Sequence, residues 1–217
     1  YRNSYKESKL QNHCMDLEKR AMVIGSGVLF PGDSDFFNGF KSIVDCDYRD
    51  IISRECKFES KIGPDDKRIF SYIVFLNPKS GEVYAFLRGE DQAETSICIS
   101  GPILQCDASR ETRFKYILKN GALREANKQV KVNASLDDCH GFINLEIKNY
   151  TDRFGLLYFA LTDSKEVRTQ SRRTRVIPIR FEGKKNLPEL ERLSAENQLD
   201  ECSKAIMGPL KGYLNFI

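Results

Sequence analysis

Hydrophobic residues occur in short runs separated by polar segments rich in Gly and Pro, which is typical of strands joined by turns. The clearest two runs, 68–77 and 82–88, flank the loop Asn77-Pro78-Lys79-Ser80-Gly81 and predict a β-hairpin. Further strands are expected at 96–103, 142–147 and 155–161. The run 176–179 contains Pro178, which cannot donate to a ladder, so this strand is expected at a sheet edge.

Apolar positions with a four-residue period predict one long helix over 111–130. Leu118, Ala122, Ala126 and Val130 form one row along its surface. Gly121 within this stretch costs up to roughly 1 kcal/mol relative to Ala, which indicates close packing or a bend. Two more helices are predicted at 187–193 and 195–210, with Ser194 as N-cap. Strands, a helix, strands and then helices, without βαβ alternation, predict an α+β fold in which helices cover a mixed sheet.

Composition narrows the class of protein. The chain has 217 residues, of which 41% are hydrophobic and 30% charged, enough to bury a core. Residues 1–20 are polar and are predicted to be an N-terminal extension or linker, while 21–217 form the domain. No apolar run approaches the roughly 20 residues that a membrane helix needs, so no membrane association is expected.

Cysteine and histidine usage disfavours several kinds of site. The seven cysteines are odd in number and contain no C-x-x-C pair, which predicts reduced thiols in a cytoplasmic protein. His13 and His140 lie far apart in the sequence, so a zinc site is not expected. Hydrolysis by a His-assisted Ser or Cys nucleophile also has little support.

A series of short motifs then resembles a Nudix-like family of predicted phosphoesterases. The strands Arg68–Val74, Tyr84–Arg88 and Ser96–Ile103 are similar to that family's R-Q-x-I-P-Y, Y-x-R and S-I-G-I-G-G-H-I. Leu123–Val130 resembles L-R-E-L-x-E-E-V, and similar matches at 141–144, 154–158 and 199–204 extend the resemblance over about residues 23–211. The resemblance implies a Nudix-like α/β/α sandwich with a mixed β-sheet.

The departures from the family pattern concern its chemistry. The Nudix signature, G-x5-E-x7-R-E-U-x-E-E-x-G-U, carries paired glutamates that bind Mg²⁺. Aligning Arg124 and Glu125 with R-E puts Lys128 and Gln129 at the E-E pair. Counting back from Arg124 puts Tyr116 at the upstream Glu and Arg110 at the first Gly, unless the loop is longer. Glu125 is then the sole acid left, so no catalytic residue is assigned, and no metal is expected unless the protein is an active hydrolase.

Six residues are predicted to contact a ligand, and four of them also have an alternative role. Lys128 either contacts a phosphate in place of the metal or pairs with Glu125 or with neighbours of Arg124 on a solvated helix face. Arg88 either contacts a ligand or forms a surface ion pair. Tyr84 and Phe154 either stack on a base or pack in the core. Gln129 and Gly101 complete the predicted ligand site.

A basic segment, residues 165–185, contains eight Lys and Arg against two Glu, although the whole chain carries only +3. It is either a solvated loop or a docking surface for an acidic protein or nucleic acid.

The sequence leaves three functions open. The first is a catalytically degenerate Nudix-fold module that binds a nucleotide-like ligand or a protein partner. The second is an active hydrolase of nucleoside-diphosphate-linked substrates that uses Glu125 with Glu94, Asp107 or Glu111. The third is a structural subunit, and an oligomer is possible in any of them.

Overall fold

The computed structural model describes residues 19–32, 35–88, 94–108, 113–147, 150–164, 167–171, 173–181 and 187–217. Most of the predicted extension 1–20 therefore lies outside the described residues. The strands are β1 (Ala21–Gly25), β2 (Gly39–Ser42), β3 (Lys57–Glu59), β4 (Asp66–Asn77), β5 (Glu82–Arg88), β6 (Glu94–Ser96), β7 (Ile99–Pro102), β8 (Val130–Lys131), β9 (Ser135–Asn144), β10 (Arg153–Leu161), β11 (Arg168–Thr169) and β12 (Arg175–Arg180). The helices are α1 (Ser26–Leu29), α2 (Arg49–Glu55), α3 (Phe114–Gln129), α4 (Pro188–Ala195) and α5 (Glu201–Tyr213), with a 3₁₀ turn at Gln105–Ala108.

One large mixed sheet organises the molecule, with the strand order β12-β5-β4-β10-β9-β2. Strands β4 and β10 pair in parallel along their length, while the other pairs are antiparallel. β1 and β7 also pair with β4, and β6 pairs with β5. β12 ends the strand order, so the edge position predicted from Pro178 is confirmed, as is the hairpin of β4 and β5.

Helices cover both faces of this sheet because its central strands are apolar on both sides. On β10, Phe154, Leu156 and Tyr158 face the core beneath α3, while Leu157 and Phe159 face the core beneath α4 and α5. This two-sided burial is what the continuous apolar runs of the sequence indicate. The predicted α/β/α sandwich is confirmed. Within the described part of the chain, no helix combines the length and apolar character that crossing a bilayer requires.

The long helix α3 confirms the four-residue apolar period. Leu118, Ala122 and Ala126 are buried against the sheet. Gly121 lies where α3 meets the 3₁₀ turn: a Cβ there would stand 2.5 Å from Ile103 and 2.8 Å from the Asp107 carboxylate. Close packing therefore accounts for this glycine, and it holds α3 next to the turn that carries Asp107.

Candidate functional site

Three of the predicted site residues, Gly101, Glu125 and Gln129, meet where the second half of α3 packs on β7. Glu125 points from the helix towards this strand and is only 4% exposed. A Cβ on Gly101 would overlap the Glu125 carboxyl group, so the absence of a side chain at position 101 gives Glu125 its place. Gly101 thus shapes the site as a close approach of strand and helix.

Both oxygens of Glu125 have protein partners. Arg124 donates to Oε1, and the side-chain amide of Gln129 donates to Oε2 at 3.2 Å. The same amide nitrogen of Gln129 donates to the Ser100 carbonyl at 3.0 Å. The Gln129 amide therefore sits between two oxygen acceptors, a carboxylate from the helix and a carbonyl from β7.

Arg124 is held by a second carboxylate, that of Asp107. Its guanidinium donates to Asp107 through Nε at 2.8 Å and Nη2 at 3.1 Å, and to the Pro102 carbonyl at 2.6 Å. Asp107 is nearly fully buried and also accepts from the Leu104 amide at 2.8 Å. Burial lowers the pKa of Arg124, but its hydrogen bonds to Asp107 and the charges of Asp107 and Glu125 outweigh that effect, so the net pKa is raised.

This ion pair corrects the register predicted for the upstream part of the signature. Gly101 and Asp107 are separated by five residues, which satisfies G-x5-E with Asp for Glu, and sixteen residues instead of seven then precede Arg124. Tyr116 does not take the upstream position, because it lies more than one third exposed near the start of α3. Arg110, assigned to the first Gly, lies outside the described residues. The G-x5-acid spacing after Gly101 is the sequence signal that would have found Asp107.

The other acids proposed for catalysis are not gathered here. Glu94 is exposed at the start of β6, and Glu111 lies outside the described residues. Among the described residues, no group of three or more His, Cys, Asp or Glu side chains has the arrangement of a metal site. Asp107 and Glu125 are thus the carboxylates of the site, and Arg124 binds both.

A cavity of about 150 Å³ opens beside the last turn of α3, and we call it the C-terminal cavity. Its lining residues are Phe86, Arg88, Ile99, Lys128, Gln129, Thr169, Ser171 and Thr174. Arg88, Lys128 and Gln129, which were predicted separately as ligand contacts, therefore line one space. β11 covers the outer side of this cavity. It pairs with β8, and the backbone N–H of Gln170 donates to the backbone carbonyl of Gln129 at 3.0 Å.

Among the described residues, no acid forms an ion pair with either cation of the C-terminal cavity. Arg88 donates to the Cys98 carbonyl at 3.2 Å and forms no ion pair with any described residue. Lys128 is exposed, and within the described ranges it also lacks an ion pair. The predicted alternative in which Lys128 pairs with Glu125 does not occur, since Arg124 and Gln129 occupy both Glu125 oxygens.

Tyr84 and Phe154 do not form the predicted base sandwich. Tyr84 is 2% exposed, and its hydroxyl donates to the Ser164 carbonyl at 3.1 Å. Phe154 is fully buried, in ring contact with Phe142 and Tyr48 at the opposite end of the sheet. Both residues have the core role that was their alternative. Burial explains this, because neither ring presents a face on which a base could stack.

Four basic side chains of the segment 165–185 are exposed: Arg168, Arg173, Arg175 and Arg180. Arg175 and Arg180 begin and end the edge strand β12. The remaining basic residues, Lys165, Arg172, Lys184 and Lys185, lie outside the described residues. The role of this segment in docking stays a prediction.

Comparison with known proteins bears on the fold. No protein-family profile matches the sequence, and no curated protein matches it significantly. Among solved structures, the chain is similar to Tm1382, a candidate Nudix hydrolase, with a TM-score of 0.70 and 19% identity over 91% of this chain and 100% of that one. A weaker similarity, with a TM-score of 0.45 and 13% identity, relates 72% of this chain to the whole of dihydroneopterin triphosphate pyrophosphohydrolase from E. coli. The likeness to Tm1382 extends over most of this chain, and it shows that this chain has the Nudix hydrolase fold.

Proposed function

We propose that this protein is a Nudix-fold module that binds the phosphate part of a nucleotide-like ligand without a metal ion and does not hydrolyse it. The observation that carries the proposal is the C-terminal cavity, where Arg88 and Lys128 face one space that no described carboxylate lines. Two cations that share one space and have no ion-pair partner among the described residues attract an anion. Lys128 offers an ammonium point charge and Arg88 a planar donor group, both suited to phosphate oxygens.

The size of the cavity limits which part of a ligand it accepts. Its volume of about 150 Å³ is below the roughly 300–1,000 Å³ of pockets that enclose a drug-sized molecule. A phosphate or diphosphate group fits this space, and a nucleoside would extend out of it. Ser171 and Thr174 line the cavity with hydroxyl groups, whereas the Thr169 hydroxyl already donates to the backbone carbonyls of Ser171 and Thr174.

The donor set does not fit Mg²⁺, which needs one or two carboxylates in addition to phosphate oxygens. Lys128 adds a positive charge to the helix face. Two unit charges 4 Å apart interact by about 4 kcal/mol at an effective dielectric of 20, and a dication doubles that repulsion. Glu125 is already bound by Arg124 and Gln129, so a metal ion would have to displace a buried ion pair and an amide.

One observation favours the alternative, an active hydrolase of nucleoside-diphosphate-linked substrates. Asp107 fills the upstream acidic position of the signature and lies in the same ion-pair network as Glu125. Such an enzyme would use these two carboxylates, and Arg124 would have to release at least one of them. The two proposals differ in the effects that they predict for added Mg²⁺ and for removal of the Glu125 carboxylate.

Calorimetry with ADP in EDTA tests the proposal. We expect wild-type protein to bind ADP without metal, and Lys128→Met and Arg88→Met each to weaken binding at least about tenfold, because each removes a charged hydrogen bond worth about 1.5–3 kcal/mol. Lys61→Met, which removes an exposed charge outside the cavity, is the matched control and should leave affinity unchanged.

Two results would overturn the proposal. One is equal ADP affinity in wild type, Lys128→Met and Arg88→Met. The other is Mg²⁺-dependent hydrolysis of ADP-ribose that Glu125→Gln abolishes, which would establish the hydrolase alternative instead.

A further inference from the structure

A second cavity, of about 310 Å³, opens beside the first two turns of α3, and we call it the N-terminal cavity. Its lining residues are Arg49, Lys115, Tyr116, Leu118, Lys119, Asp138, Cys139 and Tyr158. It shares no lining residue with the C-terminal cavity, and Gly101, Asp107, Arg124 and Glu125 do not line it. Its volume reaches the lower end of the range in which small molecules bind.

Tyr158 forms part of the wall of the N-terminal cavity and is only 3% exposed. Its hydroxyl makes no hydrogen bond to any described residue, although buried tyrosine hydroxyls usually have a partner. The hydroxyl oxygen keeps some contact with solvent in the cavity, so it is a donor open to a ligand rather than an unsatisfied buried group. Burial raises the pKa of Tyr158 well above its ordinary value, so the group stays a neutral O–H donor.

The charges around this hydroxyl are mostly positive. Lys119 and Lys115 form no ion pair with the described residues, and Lys115 lies 5.0 Å from the ring centre of Tyr116. Arg49 is bound to Asp47 in a forked ion pair at the edge of the cavity. Asp138 is the one carboxylate in the lining, and it is exposed at the rim.

Cys139 does not offset this positive charge. It pairs with Tyr158 across β9 and β10, and its thiol donates to the Gly141 carbonyl at 3.4 Å. Burial raises the pKa of Cys139 to about 12, so the thiol is neutral near pH 7. Within the part of the chain that the structure describes, the cavity therefore combines two ammonium groups without an ion pair, a guanidinium and a phenol donor against one rim carboxylate.

We propose that the N-terminal cavity is a second anion site, which binds a phosphate-bearing small molecule between Lys119, Lys115 and the Tyr158 hydroxyl. Phosphate oxygens would accept hydrogen bonds from the two ammonium groups, and from the Tyr158 hydroxyl in place of water. Inorganic diphosphate and a sugar phosphate present the same phosphoryl chemistry, and the cavity has room for either. This inference does not depend on the proposed function, since the two cavities are separate.

Titration calorimetry with inorganic diphosphate and with ribose 5-phosphate tests the site. To isolate it, the experiment uses Arg88→Met/Lys128→Met as the parent protein, in which the C-terminal cavity is disabled. In this background we expect one remaining binding event that Lys119→Met weakens at least about tenfold and Tyr158→Phe weakens about 5-fold. The phosphate compound that binds more tightly identifies the source of the phosphoryl group.

Tyr158→Phe is the mildest of these variants because it removes only a hydroxyl that makes no hydrogen bond to any described residue. Its thermal midpoint without ligand should equal that of the parent, so weaker binding cannot be attributed to loss of the fold. Lys61→Met, an exposed lysine outside both cavities, should bind like the parent. Absence of any binding in the parent, or unchanged affinity in both Lys119→Met and Tyr158→Phe, would overturn the proposal.

Discussion

At the scale of single residues, the environment of Glu125 separates what the sequence predicts from what it does not. Helical spacing places Glu125, Lys128 and Gln129 on one face, and the contact of Glu125 with Gln129 follows from that spacing. The partner Arg124 does not, because adjacent helical residues do not normally face each other. Asp107, from outside the helix, draws the guanidinium of Arg124 towards β7, and this tertiary contact is invisible in the sequence of the helix.

Gly101→Ala tests whether strand β7 must approach Glu125 this closely. The added methyl would overlap the Glu125 carboxyl group, so either the buried ion pair or the strand must move. We expect a loss of roughly 1–3 kcal/mol in the free energy of unfolding, measured by urea denaturation. Gly27→Ala is the matched control, because a Cβ there meets no atom within 4 Å. Equal stability of the two variants would show that β7 and α3 are not tightly coupled.

At the scale of elements, periodicity predicts α3 well, because Leu118, Ala122 and Ala126 report a local pattern. The length of the loop before α3 is not reported by any such local pattern. The longer segment between Asp107 and Arg124 displaced the predicted register of the signature, although α3 itself was predicted correctly. Similarly, the helix expected to begin after Ser194 begins at Glu201, where the Asp200 side chain accepts from the Ser203 amide at 2.7 Å.

A double substitution on α3 tests the proposal that Lys128 and Gln129 prevent metal binding. In Lys128→Glu/Gln129→Glu, the second new carboxylate would replace an amide that now bridges Glu125 and the Ser100 carbonyl. Three acceptors would then converge without a donor, so we expect the variant to unfold roughly 1–3 kcal/mol more easily in EDTA than wild type. Mg²⁺ or Mn²⁺ should restore stability, with a melting temperature that rises with the logarithm of metal concentration.

The single variant Lys128→Glu is the control for that experiment, since it changes the charge but keeps the Gln129 bridge. It should gain much less metal affinity than the double variant. Wild-type protein that binds metal as tightly as the double variant would contradict the proposed metal-free function. A double variant that binds no metal would show that the Gln129 bridge is not what occupies the metal position.

At the scale of the whole molecule, the order of elements predicted helices that cover a mixed sheet, and the resemblance to the Nudix-like family implied the α/β/α sandwich. Pro178 in the sequence also predicted correctly that its strand lies at the edge of the sheet. The parallel pairing of β4 with β10 joins residues more than eighty positions apart, and nothing in either strand specifies it locally. The sequence did not predict the cavities. Arg88 and Lys128 line one cavity only because the tertiary fold brings the end of β5 close to the end of α3.

The basic segment 165–185 gives a prediction at this scale. Its exposed arginines lie at and beside the edge strand β12, while the rest of the chain is net negative, so a polyanion should bind this side of the molecule. Charge reversal of Arg172, Arg173 and Arg175 should abolish binding to heparin or to a DNA duplex, measured by fluorescence anisotropy at low salt. Wild-type binding should weaken steeply as salt rises.

The matched control reverses three basic residues elsewhere, Arg54, Lys57 and Lys61, which are all exposed around β3. Both triple variants change the net charge equally, so a purely global attraction would weaken binding to the same extent in each. A local docking surface requires the 172–175 variant to lose far more affinity than the control. Because exposed charges contribute little to folding, both variants should keep the melting temperature of wild type within a few degrees. Equal losses in the two variants would assign the attraction to net charge and remove the case for docking at the β12 edge.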